Sequence, residues 1–444
     1  MKIECTAAVL LLCATATSAQ DSPAPAWSFS ERLEIRANYR QSQHEKFQLR
    51  FPFPSFFLPV GQTRGFEETP DPGNHLELSV VQVKLDAKYG KWLSAHAQVH
   101  AIDKYRRNPT TSDRKIDADE LWIRVGEKPE FLARPERTSF FVQAGKAPKM
   151  ERQPIRLLES YGLAATAFNR MEDTQLLIGG SVGRNLYWRF QLANGNPLFF
   201  RDPNALAGDN GQPELNPFLH PNPDPRVKSG FPILYNAETE SLFFETQHAQ
   251  VGEGLGYRWQ NAAETMGFDA ILFHYRRTMA EKAVLDGTFY GGDILLLRGP
   301  ANGGVPWHGR TKEEYGGRVY SEWHNLTAIA QFTKQAVAGL QRQGYEFEAG
   351  YKLNMPFGPH IGSETLVQSI QPAVRISGIT NRFRGNPNLY PAPSIWWPWT
   401  KIDVGVRIGF TKNTDLTIEH ARHNIGAPRK LNVDETLATL RFRI

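Results

Sequence analysis

Residues 29–40 read FSERLEIRANYR, and apolar and polar side chains alternate along this stretch. One set of alternate positions holds Phe29, Leu33, Ile35, Ala37 and Tyr39, and the other holds Ser30, Arg32, Glu34, Arg36, Asn38 and Arg40. Successive side chains of a strand point to opposite faces, so the segment predicts a β-strand with one apolar face and one wet face. A helix would mix the two sets.

The same alternation recurs along the chain, for example at residues 93–101, 186–193, 345–353, 401–410 and 436–444. Several segments are joined by hairpin-sized connectors, namely residues 183–185, 324–325 and 411–415. We count roughly 16 to 18 such segments, each about 9–11 residues long where the pattern is clean, which is the length of a tilted membrane-spanning strand. An alternating strand at the C-terminal end suits closure against the first strand.

The first 19 residues predict a secretory signal peptide. Met1-Lys2 is the basic start, an apolar stretch follows, and small residues precede the predicted cleavage before Gln20. Both cysteines, Cys5 and Cys13, lie in this segment, so the exported chain 20–444 would contain none and could form no disulfide. After residue 20 no stretch approaches the ~20 apolar residues of a spanning helix. Together with the alternation, this predicts a bacterial outer-membrane β-barrel.

Composition is compatible with that fold. Hydrophobic residues make up 41% of the chain and the mean hydropathy is −0.44, too polar for a helical membrane protein. In a barrel only alternate residues meet lipid, and aromatic residues, 11% here, supply the interfacial girdles. The net charge of +5 is scattered rather than gathered in basic runs, which argues against a nucleic-acid partner. No residue pattern indicates a cofactor, a metal site or a catalytic group.

Three connectors are too long for hairpin turns. They cover residues 41–74, 196–234 and 378–399 and are predicted to be extracellular loops. The third ends in Trp396-Trp397-Pro398-Trp399. This cluster predicts either an interfacial girdle or a packed loop plug.

Short motifs carry a family resemblance. They are the strand end Gly145-Lys146-Ala147-Pro148, the downstream Phe168-Asn169-Arg170, the strand end Ala193-Asn194-Gly195, and a C-terminal hundred residues with Gly-x-x-aromatic and Leu-x-Arg strands. In these features the chain resembles the phosphate- and polyphosphate-selective porins, and its strand layout is also similar to that of alginate-export-type porins. The resemblance implies a large barrel in contact with outer-membrane lipid and lipopolysaccharide. Monomer and homotrimer both remain open.

Nine basic residues lie on the polar faces of predicted strands: Arg32, Arg36, Arg40, Lys84, Arg189, Lys352, Arg375, Arg407 and Arg441. A charge on the lipid face would cost ~2–4 kcal/mol near the midplane, so we expect these residues to line the pore. Glu34, Glu346, Glu348, Asp403 and Glu419 share the polar faces. Two interpretations therefore stay open, a neutralised wet lumen or a net preference for anions.

We therefore predict a single all-β transmembrane antiparallel barrel over residues 20–444 that acts as a porin. Small hydrophilic solutes would diffuse through it passively, with anions as the preferred class if the lumen is net cationic. A polysaccharide-export channel is the first alternative. A barrel or secreted β hydrolase is the second, although the Gly-x-Ser-x-Gly motif at residues 179–183 would need a strand-to-helix elbow.

Overall fold

A computed structural model describes residues 26–43, 46–48, 66–68, 73–102, 116–129, 132, 138–168, 172–195, 249–278, 309–362, 364–382, 398–426 and 430–444. Sixteen strands form the barrel: β1 (Trp27–Ser42), β4 (Gly73–Tyr89), β5 (Leu93–Ile102), β6 (Ile116–Gly126), β7 (Ser139–Pro148), β8 (Glu172–Val182), β9 (Leu186–Ala193), β10 (Gln250–Gln260), β11 (Met266–Thr278), β12 (Thr311–Trp323), β13 (Leu326–Val337), β14 (Leu340–Tyr351), β17 (Ser369–Asn381), β18 (Trp399–Thr411), β19 (Thr414–Gly426) and β20 (Lys430–Arg443). Two small hairpins pair β2 (Lys46–Gln48) with β3 (Phe66–Glu68) and β15 (Phe357–Ile361) with β16 (Glu364–Val367). One short helix, α1, covers Leu163–Ala167.

The barrel closes between its first and last strands. β1 pairs antiparallel with β4 on one side and with β20 on the other. At the end of this seam Leu33 and Ile444 exchange backbone hydrogen bonds of 3.0 and 2.9 Å. No strand edge is left in the ring, as a lipid environment requires. The prediction of an all-β barrel with 16 to 18 strands is confirmed, with sixteen strands in the ring.

The alternation seen in the sequence separates outside from inside. Apolar side chains point away from the barrel, for example Phe29, Leu272 and Val404, which are 77%, 70% and 56% exposed. On the opposite faces Glu34 and Arg189 are buried in the interior. The exterior is therefore a mainly apolar surface suited to lipid, while most polar groups gather in the lumen.

The two ends of the barrel differ. One end, here called the tight-turn end, carries the beginning of β1, the end of β20 and the short turns 90–92, 183–185, 261–265, 324–325 and 412–413. In outer-membrane barrels short turns lie on the periplasmic side. An aromatic group surrounds the start of β1 there, with Trp27 5.2 Å from Tyr89 and Tyr89 5.6 Å from Trp92 between ring centroids.

The predicted loops are only partly described. β1 extends to Ser42 and β4 begins at Gly73, so the first and last two residues of the predicted 41–74 loop belong to barrel strands. The short strands β2 and β3 also lie within the predicted loop. The 196–234 loop, the signal peptide, Trp396 and Trp397 lie outside the described residues. Trp399 is 3% exposed and lies 6.2 Å from the His423 ring. It faces the interior, so the girdle interpretation is wrong for this residue.

The serine-hydrolase motif has no elbow in the structure. Residues 179–182 continue β8, and Gly183, at a φ of +62°, begins the turn into β9. A strand-to-helix elbow is therefore missing at this position. Among the described residues, no helix is long and apolar enough to cross a membrane.

The barrel orientation makes a paired prediction about arginine substitutions. Val404→Arg places a charge on the apolar exterior and should destabilise the inserted barrel by about 2–4 kcal/mol near the midplane. Gln371→Arg places the same charge on the neighbouring strand, at a position that lines the lumen, and should leave assembly intact. Heat-modifiable migration of outer-membrane fractions measures both. Equal damage from the two substitutions would contradict the facing described above.

Candidate functional site

The chain between β7 and β8 folds into the barrel. β7 ends at Pro148, and residues 149–168, here called the inner loop, include α1 and contact the walls formed by β14 and β17–β19. The strand end at residues 145–148 was expected from the sequence, whereas the inward course of the following loop was not. A loop folded into a pore decides how wide and how charged its narrow part is.

Two buried carboxylates hold the inner loop by its backbone. Glu348 accepts hydrogen bonds from the N–H groups of residues 157–158 at 2.8 and 2.9 Å. Glu419 accepts from the N–H groups of residues 159–160 at 2.8 and 2.7 Å. A buried carboxylate is costly without partners, and hydrogen bonds to an ionised group are the strong ones. We call this pair the carboxylate clasp.

A second set of contacts anchors the same loop. Arg375 donates to Asp403 at 3.0 Å and to the Ser160 hydroxyl at 2.5 Å. Lys401 donates to the Tyr161 carbonyl at 2.9 Å and pairs with Asp403 at 3.0 Å. The Arg375, Asp403 and Lys401 side chains are fully buried. These charged groups therefore contact one another and the inner loop, and they do not face the solutes in the lumen.

A cavity of about 760 Å³ lies beside the inner loop in the barrel interior. Its lining includes fourteen arginines and lysines against four acidic residues, a formal excess of ten positive charges among the described residues. The basic residues are Arg32, Arg36, Lys84, Arg124, Lys128, Lys149, Arg152, Arg156, Arg189, Arg258, Arg318, Arg407, Arg441 and Arg443, and the acidic ones are Glu34, Glu120, Glu159 and Asp269.

One wall of this cavity is largely neutralised. Arg36 pairs with Glu34 at 2.6 Å, while Arg407 and Arg441 pair with Glu159 of the inner loop at 2.9 and 3.2 Å. Burial alone would raise the pKa of Glu159, but Arg441, Arg36 and Arg407 together outweigh it and hold that pKa well below its usual range. Glu159 is therefore ionised at neutral pH and cancels part of the positive charge.

The wall formed by β9, β10 and β12 carries three arginines that border the cavity, namely Arg189, Arg258 and Arg318. Two guanidinium groups lie over the Tyr187 ring, with Arg189 4.7 Å and Arg258 4.4 Å from its centroid. Asp269 accepts from the Tyr187 hydroxyl at 2.7 Å and from Arg318 at 2.9 Å. Among the described residues that border the cavity, Arg189, Arg258 and Arg318 lie at this wall together with the carboxylate of Asp269. Stacking on an aromatic face holds the guanidinium groups close together despite their like charge.

The nine predicted pore-lining residues fall into three groups. Arg32, Arg36, Lys84, Arg189, Arg407 and Arg441 border the main cavity, and Lys352 borders a second one. Arg375 is buried behind the inner loop. Arg40 is buried too, bonded to Ser42 at 2.6 Å and 3.7 Å from Glu435. Arg32, Arg36 and Arg40 therefore do not form one continuous ladder along β1.

Sequence reasoning missed several basic residues of the cavity. Arg258 and Arg318 lie on the inward faces of β10 and β12, two strands whose glycines blur the alternation. Gly256 is one of them, and a Cβ there would meet the Tyr187 ring at 2.0 Å. Glycine thus makes room for the ring on which Arg258 stacks. Counting inward positions from the clean part of each strand would have found both arginines.

One acidic group has the spacing of a metal site. Asp119, Glu120 and Glu172 offer oxygens within 4.8 Å of one another. Arg152 of the inner loop pairs with Glu172 and, at 3.3 Å, with Glu120. A cation of the chain itself thus lies against this group. Nearby, His96 bonds to Asp86 at 2.8 Å, and it does not belong to the group.

Comparison with known proteins concerns the fold. No protein-family model matches the sequence, and no curated protein matches it. Among solved structures, Pseudomonas putida OprB aligns with a TM-score of 0.51 and 10% identity over 94% of each chain. Salmonella typhi OmpF aligns with a TM-score of 0.49 and 10% identity, over 94% of this chain and 97% of that chain.

The fold is that of an outer-membrane porin. With its apolar exterior and closed ring, the barrel belongs in the bacterial outer membrane, as the sequence predicted. The matches do not single out the phosphate-selective family that the short motifs resemble, so that finer assignment is not supported.

The carboxylate clasp makes a prediction about the inner loop. Replacing Glu348 and Glu419 together by alanine removes four hydrogen bonds to carboxylate oxygens, each contributing about 0.5–1.5 kcal/mol. We expect a folded barrel whose single-channel current is larger and noisier, because the loop no longer stays against the wall. Glu253→Ala, on the exposed exterior, is the control. Unchanged conductance and noise in the double variant would show that the clasp does not hold the loop.

Proposed function

We propose that this protein is an outer-membrane porin for the passive diffusion of small hydrophilic solutes and that it prefers anions. The observation that carries the proposal is the formal excess of ten positive charges around the cavity beside the inner loop. A positive field in a narrow water-filled space raises the local concentration of anions and lowers that of cations. Low-dielectric walls strengthen the effect.

The distribution of acids favours selectivity over a neutral lumen. Glu348 and Glu419 accept hydrogen bonds from the inner-loop backbone, and Asp403 pairs with buried Arg375 and Lys401. These acids therefore do little to cancel the arginines that border the cavity. Glu34 and Glu159 do neutralise their own wall, so the preference arises from the other basic residues that border the cavity.

A passive porin fits better than a polysaccharide-export channel. The inner loop is fastened to the far wall along residues 153–167, whereas a threading polymer needs an unobstructed path. We assign no enzymatic role to the chain. Lipid and lipopolysaccharide are the expected partners of the apolar exterior, and homotrimer formation remains a prediction.

The proposal predicts the sign of the reversal potential. In a planar bilayer with a salt gradient, the wild-type channel should be anion-selective, and the selectivity should fade at 1 M salt, where the Debye length is ~3 Å. The double variant Arg32→Glu and Arg156→Glu reverses two charges that border the cavity. It should shift the reversal potential towards cations.

Arg276→Glu provides the matched control, because Arg276 lies on the exposed exterior of β11. It should leave selectivity unchanged. A cation-selective wild type, or a cavity double variant that behaves as the control does, would make a non-selective diffusion pore the better description.

A further inference from the structure

A second cavity of about 690 Å³ lies at the tight-turn end, and we call it the vestibule. Its border includes Lys352 and Thr365 from the connection between β14 and β17, which contains the β15–β16 hairpin, and Lys412 from the β18–β19 turn. Arg407 and Arg443 border both the vestibule and the main cavity. The two spaces therefore adjoin at these arginines.

The β15–β16 hairpin is unusual for its position. Five of the six other connections at this end are short turns, as expected for the periplasmic side, and the sixth covers residues 127–138. The hairpin is nevertheless held firmly, because Leu353 and Ile370 exchange backbone hydrogen bonds of 2.8 and 3.0 Å at its base. The Gln368 N–H also donates to the Gly409 carbonyl at 2.7 Å, which ties the far side of the hairpin to β18. It is thus a fixed wall of the vestibule.

The charge of the vestibule is mainly positive. Lys352, Lys412, Arg407 and Arg443 border it, against the single carboxylate of Asp415. That carboxylate is already engaged by Arg441 and Arg443, each at 2.9 Å. Within the described part of the chain neither lysine forms a salt bridge, and both are exposed. Two uncompensated ammonium groups therefore remain at the border.

We propose that the vestibule is a second anion-attracting station, through which small hydrated anions pass between the main cavity and the periplasmic mouth. This proposal rests on the proposed function as an anion-preferring porin. It adds the path by which anions would leave or enter the main cavity at the tight-turn end. An anion that leaves the arginine-lined cavity meets Arg407 and Arg443, and then the two lysines. The hairpin confines this route to one side of the mouth, beneath β15–β16.

Charge reversal at one mouth tests the route. Lys412→Glu and Lys352→Glu, made separately, should repel anions at the tight-turn end only, so each single channel should conduct unequally at the two polarities. In 0.1 M chloride, where the Debye length is about 10 Å, we expect a loss of about twofold at the polarity that draws anions in from this end. At 1 M salt the asymmetry should disappear. Glutamine at either position should also make the current unequal at the two polarities, but by a smaller factor than glutamate does.

Arg184→Glu is the matched control. Arg184 is exposed in the β8–β9 turn at the same end, eight strands from β18 in the sixteen-strand ring and so on the opposite side. It should leave the current symmetric. An equal effect of Arg184→Glu and Lys412→Glu, or symmetric currents in both lysine variants, would overturn the route while the wild type stayed anion-selective. A cation-selective wild type would instead overturn the proposed function itself.

Discussion

Closure of the backbone hydrogen-bond ring is the constraint on which the rest of the structure depends. Hydrocarbon offers no partner for a strand edge, so a membrane barrel must pair its first strand with its last. Here β1 and β20 complete that ring. Once the ring is closed, each strand has only two places for its side chains, and an alternating sequence sends apolar groups to lipid and charged groups inwards.

Collecting charges in a lumen creates a second problem, because charges removed from water need partners. The protein handles the two signs differently. The acidic side chains on β14 and β19 accept hydrogen bonds from backbone N–H groups of the inner loop. The acidic side chain on β18 forms ion pairs with buried Arg375 and Lys401. Most arginines at the cavity keep some contact with open space, and some are steadied by aromatic rings such as Tyr187. The electrostatic excess in the lumen thus follows from the way the inner loop is anchored.

The same anchoring links structure to transport. The inner loop brings Glu159 to the wall of Arg36, Arg407 and Arg441, where it removes part of the positive charge. On another wall, Arg189, Arg258 and Arg318 border the cavity together with Asp269. The position and the charge of the inner loop therefore determine both the width of the lumen and the difference in net charge between its walls.

The sequence by itself determined the fold class, the strand faces and the inward direction of most charges, because a period of two is a local property that any strand must obey. It also indicated Arg32, Arg189 and Arg407 as inward residues. Only the tertiary structure decided which of these inward charges border the cavity and which are buried against other parts of the chain. Leu157 meets Glu348 across 191 positions of the chain, and no local pattern records such a contact. For the same reason Arg40 and Arg375 looked like pore residues, although their partners bury them. The vestibule, too, arises only when the β15–β16 hairpin is folded against β18.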